Sequence, residues 1–273
     1  MKQSILFQNG INSFQMKCLG IFFMTLDHIE RYVIKPSVGY GILTVLGRIA
    51  APLFLFILIK SVHFTRSKLK LAIRLYIAHV VISLFTIFLS YFKPNWFGGF
   101  PQIGILATFA YTVLFIYIIE RVISSIKNKK IAATCFNLTS GVVFVIIPFV
   151  LLFGLSNING EIINSVVPNI LTVEYSPLFI LMGICWYFFK GKISQVVVLV
   201  TFSILSLVGT YFINHSNIWL FAGFFNNAQF WMILFFPLLL LYNENKGRSF
   251  KYFFYFYYPL HIYLLMFIGA VIK

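Results

Sequence analysis

Acidic side chains are scarce in this chain. Six Asp and Glu stand against 21 Lys and Arg in 273 residues, a formal net charge of +15. All charged residues together make up 10% of the chain, where a soluble domain carries about 25%. With 60% hydrophobic residues, that composition makes lipid the solvent and excludes an ordinary soluble domain. No basic polar domain exists to use the charge on nucleic acid, so nucleic-acid binding is excluded too. In a membrane chain, surplus Lys and Arg mark loops retained in the cytoplasm and facing anionic lipid. Cysteine is also scarce: Cys18, Cys135 and Cys185 are odd in number and sit in or beside apolar runs. They form no disulfide framework and no metal-ligand spacing, and read as small core residues. No internal repeat, heptad run or separate soluble domain interrupts residues 1–273. The first apolar run is too long and too charged for a cleaved signal peptide, and many more runs follow it.

What the chain has is long apolar runs. A membrane-crossing helix takes about 20 apolar residues. On that measure spans are expected near 18–34, 39–59, 71–92, 103–119, 133–155, 177–189, 193–213, 218–242 and 250–272. The sixth is short, and Asn226–Asn227 interrupts the eighth. A polar stretch, 156–176, separates the fifth from the sixth. The fold class is therefore all-α: a single polytopic membrane helix bundle of about nine crossings. Lys and Arg concentrate in alternate connections: Arg66, Lys68, Lys70 and Arg74; Arg121, Lys127, Lys129 and Lys130; Lys190 and Lys192; Lys246, Arg248 and Lys251. With the N-terminus cytoplasmic, every one of these falls inside, which makes the chain a multi-pass protein of the cytoplasmic (inner) membrane.

Within that topology ionisable groups stand out. An ionised side chain at bilayer depth costs from about 2.5 to more than 10 kcal/mol, so it needs a partner. At a rise of about 1.5 Å per residue, Asp27 and His28 lie roughly 14 Å into the first span. Arg48 in the second span and His261 in the ninth reach a similar level, so an acid, two histidines and an arginine share a depth near the midplane. Neighbours on a helix point about 100° apart, so Asp27 is turned toward Arg31 one turn on, or toward Arg48 across the bundle. His28 then faces elsewhere. Two readings stand side by side: a structural Asp27–Arg48 bridge, or a site in which imidazole moves a proton. Pro259 releases a backbone carbonyl near Tyr255, so His261 either satisfies it or completes a proton path with His28. Glu174 and Tyr175 open the sixth span, where the carboxylate is either a helix cap or an acid bordering a substrate path. His79 reads as a packing histidine and His215 as exposed.

Several segments together resemble one family. KCLGIFFMTLDHI from Lys17 to Ile29, GRIAAPLF from Gly47 to Phe54, Phe64-Thr65-Arg66, VEYSPL from Val173 to Leu178 and the ending PLLLLYN…KYFFYFYYPLHI occur in the order found in TraX integral membrane proteins. The chain departs from that pattern at YNENKGRS, with Glu244 where glycine is expected, and in the fourth span, where Thr108 remains and a glycine is lost. The resemblance implies N-acetylation of pilin subunits and kinship with transmembrane acyltransferases that use acetyl-coenzyme A. On that implication Asp27, His28, Arg48 and His261 are the catalytic candidates, with His28 or His261 as base and Arg48 orienting the network or facing an oxyanion. Lys17, Arg66 and Arg74 are the candidates for the coenzyme's phosphates. Glu174 and Tyr175 are the candidates for contact with the acceptor, a pilin, another peptide or a glycan. A proton-coupled transporter and a non-catalytic membrane assembly or immunity factor are the alternatives, since intramembrane Asp and His also build proton relays.

Overall fold

The computed structural model describes residues 10–34, 41–92, 104–154, 160–171, 173–214, 228–248 and 250–272. Asn226–Asn227 and His215 lie outside them. Lipid offers the backbone no hydrogen bonds, so apolar runs must satisfy their own, and among the described residues the regular elements are helical. They are α1 (Ser13–His28) running on into a π-helical turn (Ile29–Ile34), α2 (Ile42–Gly47), α3 (Ala50–His63), α4 (Lys68–Phe92), α5 (Ile105–Lys127) and α6 (Ile131–Gly154). There follow α7 (Gly160–Val166), α8 (Ser176–Phe188), α9 (Lys192–Asn214), a 3-10 helix (Ala228–Phe235), α10 (Phe236–Leu241) and α11 (Lys251–Val271). An isolated parallel bridge joins Ile11 to Tyr242.

Five helical stretches are long and apolar enough to cross a membrane: Ile42–His63, α4, α5, α6 and Lys192–Thr210. Three more, Ser176–Phe188, Gln229–Leu241 and Phe256–Val271, are apolar but shorter, so length and composition do not establish nine crossings. Several runs that read as uninterrupted helix are not. The second breaks at Arg48–Ile49, between α2 and α3. Pro52 is the cause: it lacks the N–H that an α-helix aims at the carbonyl four residues earlier, which is that of Arg48, and its ring crowds that carbonyl. The first run ends in a π-turn. The described part of the eighth is a 3-10 helix followed by α10, with Pro237 at the junction. The polar stretch after the fifth run holds α7. Cys18 and Cys135 are exposed rather than buried, and Cys185 is intermediate.

The chain divides into two compact units, Met1–Leu58 with Phe189–Lys273, and Ile59–Phe188. The sequence shows no such boundary because no polar linker marks it.

In the first unit α1 starts at a capping box: Asn12 accepts from the Gln15 N–H, and the Gln15 side chain accepts from the Asn12 N–H. α1 then lies against α2 at a glycine. A Cβ on Gly47 would fall 2.3 Å from that of Asp27, so only glycine allows this approach. Gly269 of α11 does the same for the π-turn, where a Cβ would meet the Tyr32 carbonyl oxygen at 1.9 Å. Close backbone approach at small residues is how helices pack in lipid, where burial of apolar surface drives little.

In the second unit α5 is central, packing against α4, α6 and α8. Ala107, Val173 and Ile180 form a small core there. Two tyrosines pin the segment after α7: Tyr76 donates to the Val166 carbonyl at 2.5 Å and Tyr111 to the Pro168 carbonyl at 2.6 Å. His79 is buried in α4 with Nδ1 3.3 Å from Ser83 Oγ, a packing position.

Candidate functional site

Asp27 closes the last turn of α1, its carboxylate buried. Arg31, one turn on, brings Nη2 to 3.5 Å from Asp27 Oδ2, and Arg48 brings Nη2 to 3.5 Å from Oδ1. The two partners that sequence spacing offers as alternatives are therefore both used. Arg48 is buried and sits at the helix break made by Pro52, one residue past the glycine that lets α2 approach Asp27. Both guanidinium distances are those of ion pairs rather than of close hydrogen bonds, and among the described residues Asp27 Oδ1 accepts no hydrogen bond.

His28 is the next residue, yet its Nε2 lies 3.9 Å from Asp27 Oδ2, closer than the 100° offset suggests. Its other nitrogen, Nδ1, is 2.8 Å from His261 Nε2 on α11. His261 Nδ1 in turn lies 2.7 Å from the Tyr257 carbonyl oxygen. A carbonyl only accepts, so His261 Nδ1 carries the proton, and with both rings neutral His261 Nε2 is an acceptor. His28 Nδ1 must then be the donor. His28 Nε2 is left with a lone pair beside the Asp27 carboxylate. His261 thus meets the Tyr257 carbonyl rather than the one that Pro259 releases, and it meets His28 as well.

A further layer holds His261 still. The Tyr257 ring stacks on it at 4.8 Å and 10°. Thr25 Oγ1 donates to the Ile21 carbonyl at 2.8 Å, so the Tyr257 hydroxyl, 2.6 Å from Thr25 Oγ1, donates to it. α1 and α11 are joined twice at this level, through the histidines and through Thr25–Tyr257.

The structure brings Asp27, His28, Arg48 and His261 together in the first unit. Lys17 belongs to that unit too, half-buried, with Nζ 5.4 Å over the Phe254 ring. Arg66 and Arg74 belong to the second unit, the one between α3 and α4 and the other in α4, both exposed. Glu174 is there as well. Its Oε2 accepts the Gly104 N–H at 3.1 Å and its carbonyl accepts from Thr108 Oγ1 at 2.6 Å. The carboxylate caps a helix, but the helix is α5, whose N-cap is Gly104, and not α8, which follows Glu174 directly. Tyr175 has a positive φ of 67° and its ring lies 5.0 Å from that of Phe179.

Residues 13–269 match the model of the family described as TraX protein. The chain belongs to the TraX family. The match runs through both units and includes Asp27, His28, Arg48 and His261. No curated protein and no solved structure matches the chain.

Two polar clusters of this TraX-family chain escape a reading of its motifs. Glu30 is buried, and Oε2 accepts the Thr44 N–H at 2.5 Å, doing for α2 what a capping side chain would do. The approach needs Gly41, where a Cβ would fall 1.4 Å from Glu30 Oε1. In the second unit Lys68 Nζ donates to Glu120 Oε2 at 2.5 Å and to the Tyr187 hydroxyl at 2.9 Å. The Tyr187 hydroxyl donates to Glu120 Oε1, and His63 stacks on the Tyr187 ring at 4.3 Å and 10°. The signal for both clusters is acid scarcity itself: Glu30 and Glu120 are two of only six acids, each in an apolar run.

Proposed function

We propose that this TraX-family chain is a membrane acetyltransferase that moves an acetyl group from acetyl-coenzyme A to an amine or hydroxyl of a membrane-associated acceptor, a pilin, another peptide or a glycan. The observation that carries the reading is the polarity of the His28–His261 pair: it leaves the lone pair of His28 Nε2 facing the carboxylate of Asp27. His28 is then the base that takes the proton of the attacking N–H or O–H. Asp27 faces the imidazolium that forms, and the imidazolium gives its proton to the departing thiolate as the thioester C–S bond breaks and the acetyl C–N or C–O bond forms. Arg48 and Arg31 stand as opposite charges 3.5 Å from the two carboxylate oxygens of Asp27 and hold it in place. His261 is a positioning residue, acting through His28. The donor supplies an activated carbonyl, and its phosphates call for solvent-open cations. Lys17, half-buried, is the candidate that stands in the same unit as the histidines, and Arg66 and Arg74 are exposed candidates in the other. The charge pattern of the loops supports a cytoplasmic-membrane location with the N-terminus inside.

The test is incubation of the purified protein with labelled acetyl-coenzyme A and a panel of pilin peptides, amines and glycans. Label moves to one class of acceptor, and His28→Ala slows the transfer by about 10²–10⁴. Transfer by His28→Ala at the parental rate removes the assignment of the base. One observation favours a second reading: two histidines in contact across α1 and α11 also make a proton wire, as in a proton-coupled transporter. Substrate-dependent proton flux in liposomes without acetyl transfer would select it.

A further inference from the structure

α6 is the least buried of the long apolar helices: of its most apolar 18-residue window only 6% is buried. Between it and α5 runs a groove of about 420 Å³ lined only by apolar residues. Its walls are two stripes at helical spacing, Phe115, Ile119 and Ile123 on α5, and Leu138, Val142 and Ile146 on α6, with Gly141 keeping the floor low. A Cβ on Gly141 would only touch Ile118, at 3.6 Å, so a longer side chain there would occupy the groove itself.

The stripes do not end in apolar residues. Four residues beyond Ile123 on α5 comes Lys127, and Lys130 immediately precedes the first residue of α6. Both lysines are exposed. Between them the hairpin closes as a Schellman turn, the Lys130 N–H donating to the Ser125 carbonyl at 2.9 Å and the Lys129 N–H to the Ile126 carbonyl at 3.0 Å. Lys129 occupies the left-handed position, φ 56°, where glycine is the usual residue, so a third cation stands at this end at a conformational cost. An apolar slot that opens into a cluster of cations has the charge pattern of an anionic amphiphile. We propose that the α5–α6 hairpin is a binding site for an anionic phospholipid, one acyl chain lying along the Gly141 groove and the phosphate held by Lys127, Lys129 and Lys130.

The site is independent of acetyl transfer, and its test needs no substrate. Purified full-length protein is mixed with equal amounts of phosphatidylglycerol and phosphatidylcholine of identical chains, and retained lipid is counted by native mass spectrometry. Phosphatidylglycerol is expected to dominate. Lys127→Gln/Lys130→Gln, two exposed substitutions with little reach into the fold, lowers its retention by roughly fivefold per lysine, the worth of one cation near an anionic surface, and leaves phosphatidylcholine unchanged. Gly141→Leu lowers retention of both lipids, with the unfolding temperature recorded alongside to show that the hairpin is folded. Free glycerol phosphate, the headgroup without chains, does not displace the lipid. Equal retention of the two lipids, indifference to the double lysine variant, or displacement by glycerol phosphate alone would overturn the proposal.

Discussion

Replacing His261 in two ways separates a base from a residue that positions one. His28 Nδ1 donates to His261 Nε2 at 2.8 Å, and that bond selects the tautomer with a lone pair on His28 Nε2. Alanine at 261 leaves the buried Nδ1–H without its acceptor, a cost of about 1–3 kcal/mol. At about 1.36 kcal/mol per tenfold, this thins the competent tautomer by roughly 5- to 150-fold. Glutamine offers a carbonyl oxygen that accepts from Nδ1–H but takes up no proton. His261→Gln is therefore expected to keep acetyl transfer within about fivefold of the parent, the effect of about 1 kcal/mol of imperfect geometry. His261→Ala is expected to fall by the larger factor, and His28→Ala by about 10²–10⁴. A second readout needs no acceptor. Nitrogen-15 spectra of histidine-labelled protein contain five histidines, and His28 is assigned by its loss in His28→Ala. Its Nδ1 is expected to carry the proton in the parent and in His261→Gln, and to share it with Nε2 in His261→Ala. If His261→Gln is as inactive as His28→Ala, or if the parental His28 proton sits on Nε2, the tautomer argument is wrong and the roles of the two rings must be exchanged or abandoned.

Four further outcomes test the frame around the site. Gly47→Ala pushes a methyl to within 2.3 Å of Asp27 Cβ and is expected to cost about 1–3 kcal/mol as overpacking. Gly209→Ala, with nothing within 4 Å, is expected to hold or raise the unfolding temperature in detergent by the better helix propensity of alanine. Asp27→Asn takes this carboxylate from the buried Arg48, and Arg48→Met leaves Asp27 with Arg31; each is expected to destabilise, and the double variant by less than their sum, whereas additive losses in unfolding experiments would mean that the 3.5 Å pair is not coupled. Glu174→Gln keeps an acceptor for the Gly104 N–H and is expected to be close to neutral, while Glu174→Ala costs about 1 kcal/mol as a lost cap. A loss of acetyl transfer in Glu174→Gln at unchanged stability would instead put that carboxylate against the acceptor.

Much of the first unit is legible because ionisable residues are conspicuous in an apolar run. Asp27, His28, Arg48 and His261 are visible as costs that need partners, and counting residues from the span ends brings them to one level. The pairing is less legible. Spacing leaves Asp27 a choice between Arg31 and Arg48, and only the glycine contact at Gly47 explains how it takes both. The break at Arg48 is written in Pro52 four residues later, but an apolar run with a proline reads equally as a kinked helix. Hydropathy measures how apolar a run is and not whether it is one helix, which is why the run ending at Tyr242 proves to be a 3-10 helix and a short α-helix in its described part. The cysteines mislead for a related reason. In water an apolar residue is sorted inward, but a helix in lipid is as apolar outside as inside, so Cys18 and Cys135 face out without penalty.

Acid scarcity and glycine placement turn out to be one design. In water a protein carries carboxylates for solubility, and most are interchangeable; in lipid each must be met by a donor or a cation, so few survive without one. Four of the six acids are described with partners from another segment of the chain: Asp27 with Arg31 and Arg48, Glu30 with the Thr44 N–H, Glu120 with Lys68 and Tyr187, and Glu174 with the Gly104 N–H. Three of these approaches run through a glycine whose Cβ would strike the acid or crowd it, Gly47 at Asp27, Gly41 at Glu30 and Gly104 at Glu174. Two, Glu30 and Glu174, satisfy the N-terminal N–H groups of helices that lack a capping side chain of their own. Asp27 differs from both. It is held by two arginines, and among the described residues its Oδ1 accepts no hydrogen bond. Glu30 and Glu174 each spend an oxygen on a backbone N–H, and Asp27 spends its two on guanidinium groups. The convergence of this carboxylate with two arginines and two histidines in contact is what separates this cluster from the structural ones, and it is the reason to look for chemistry there first.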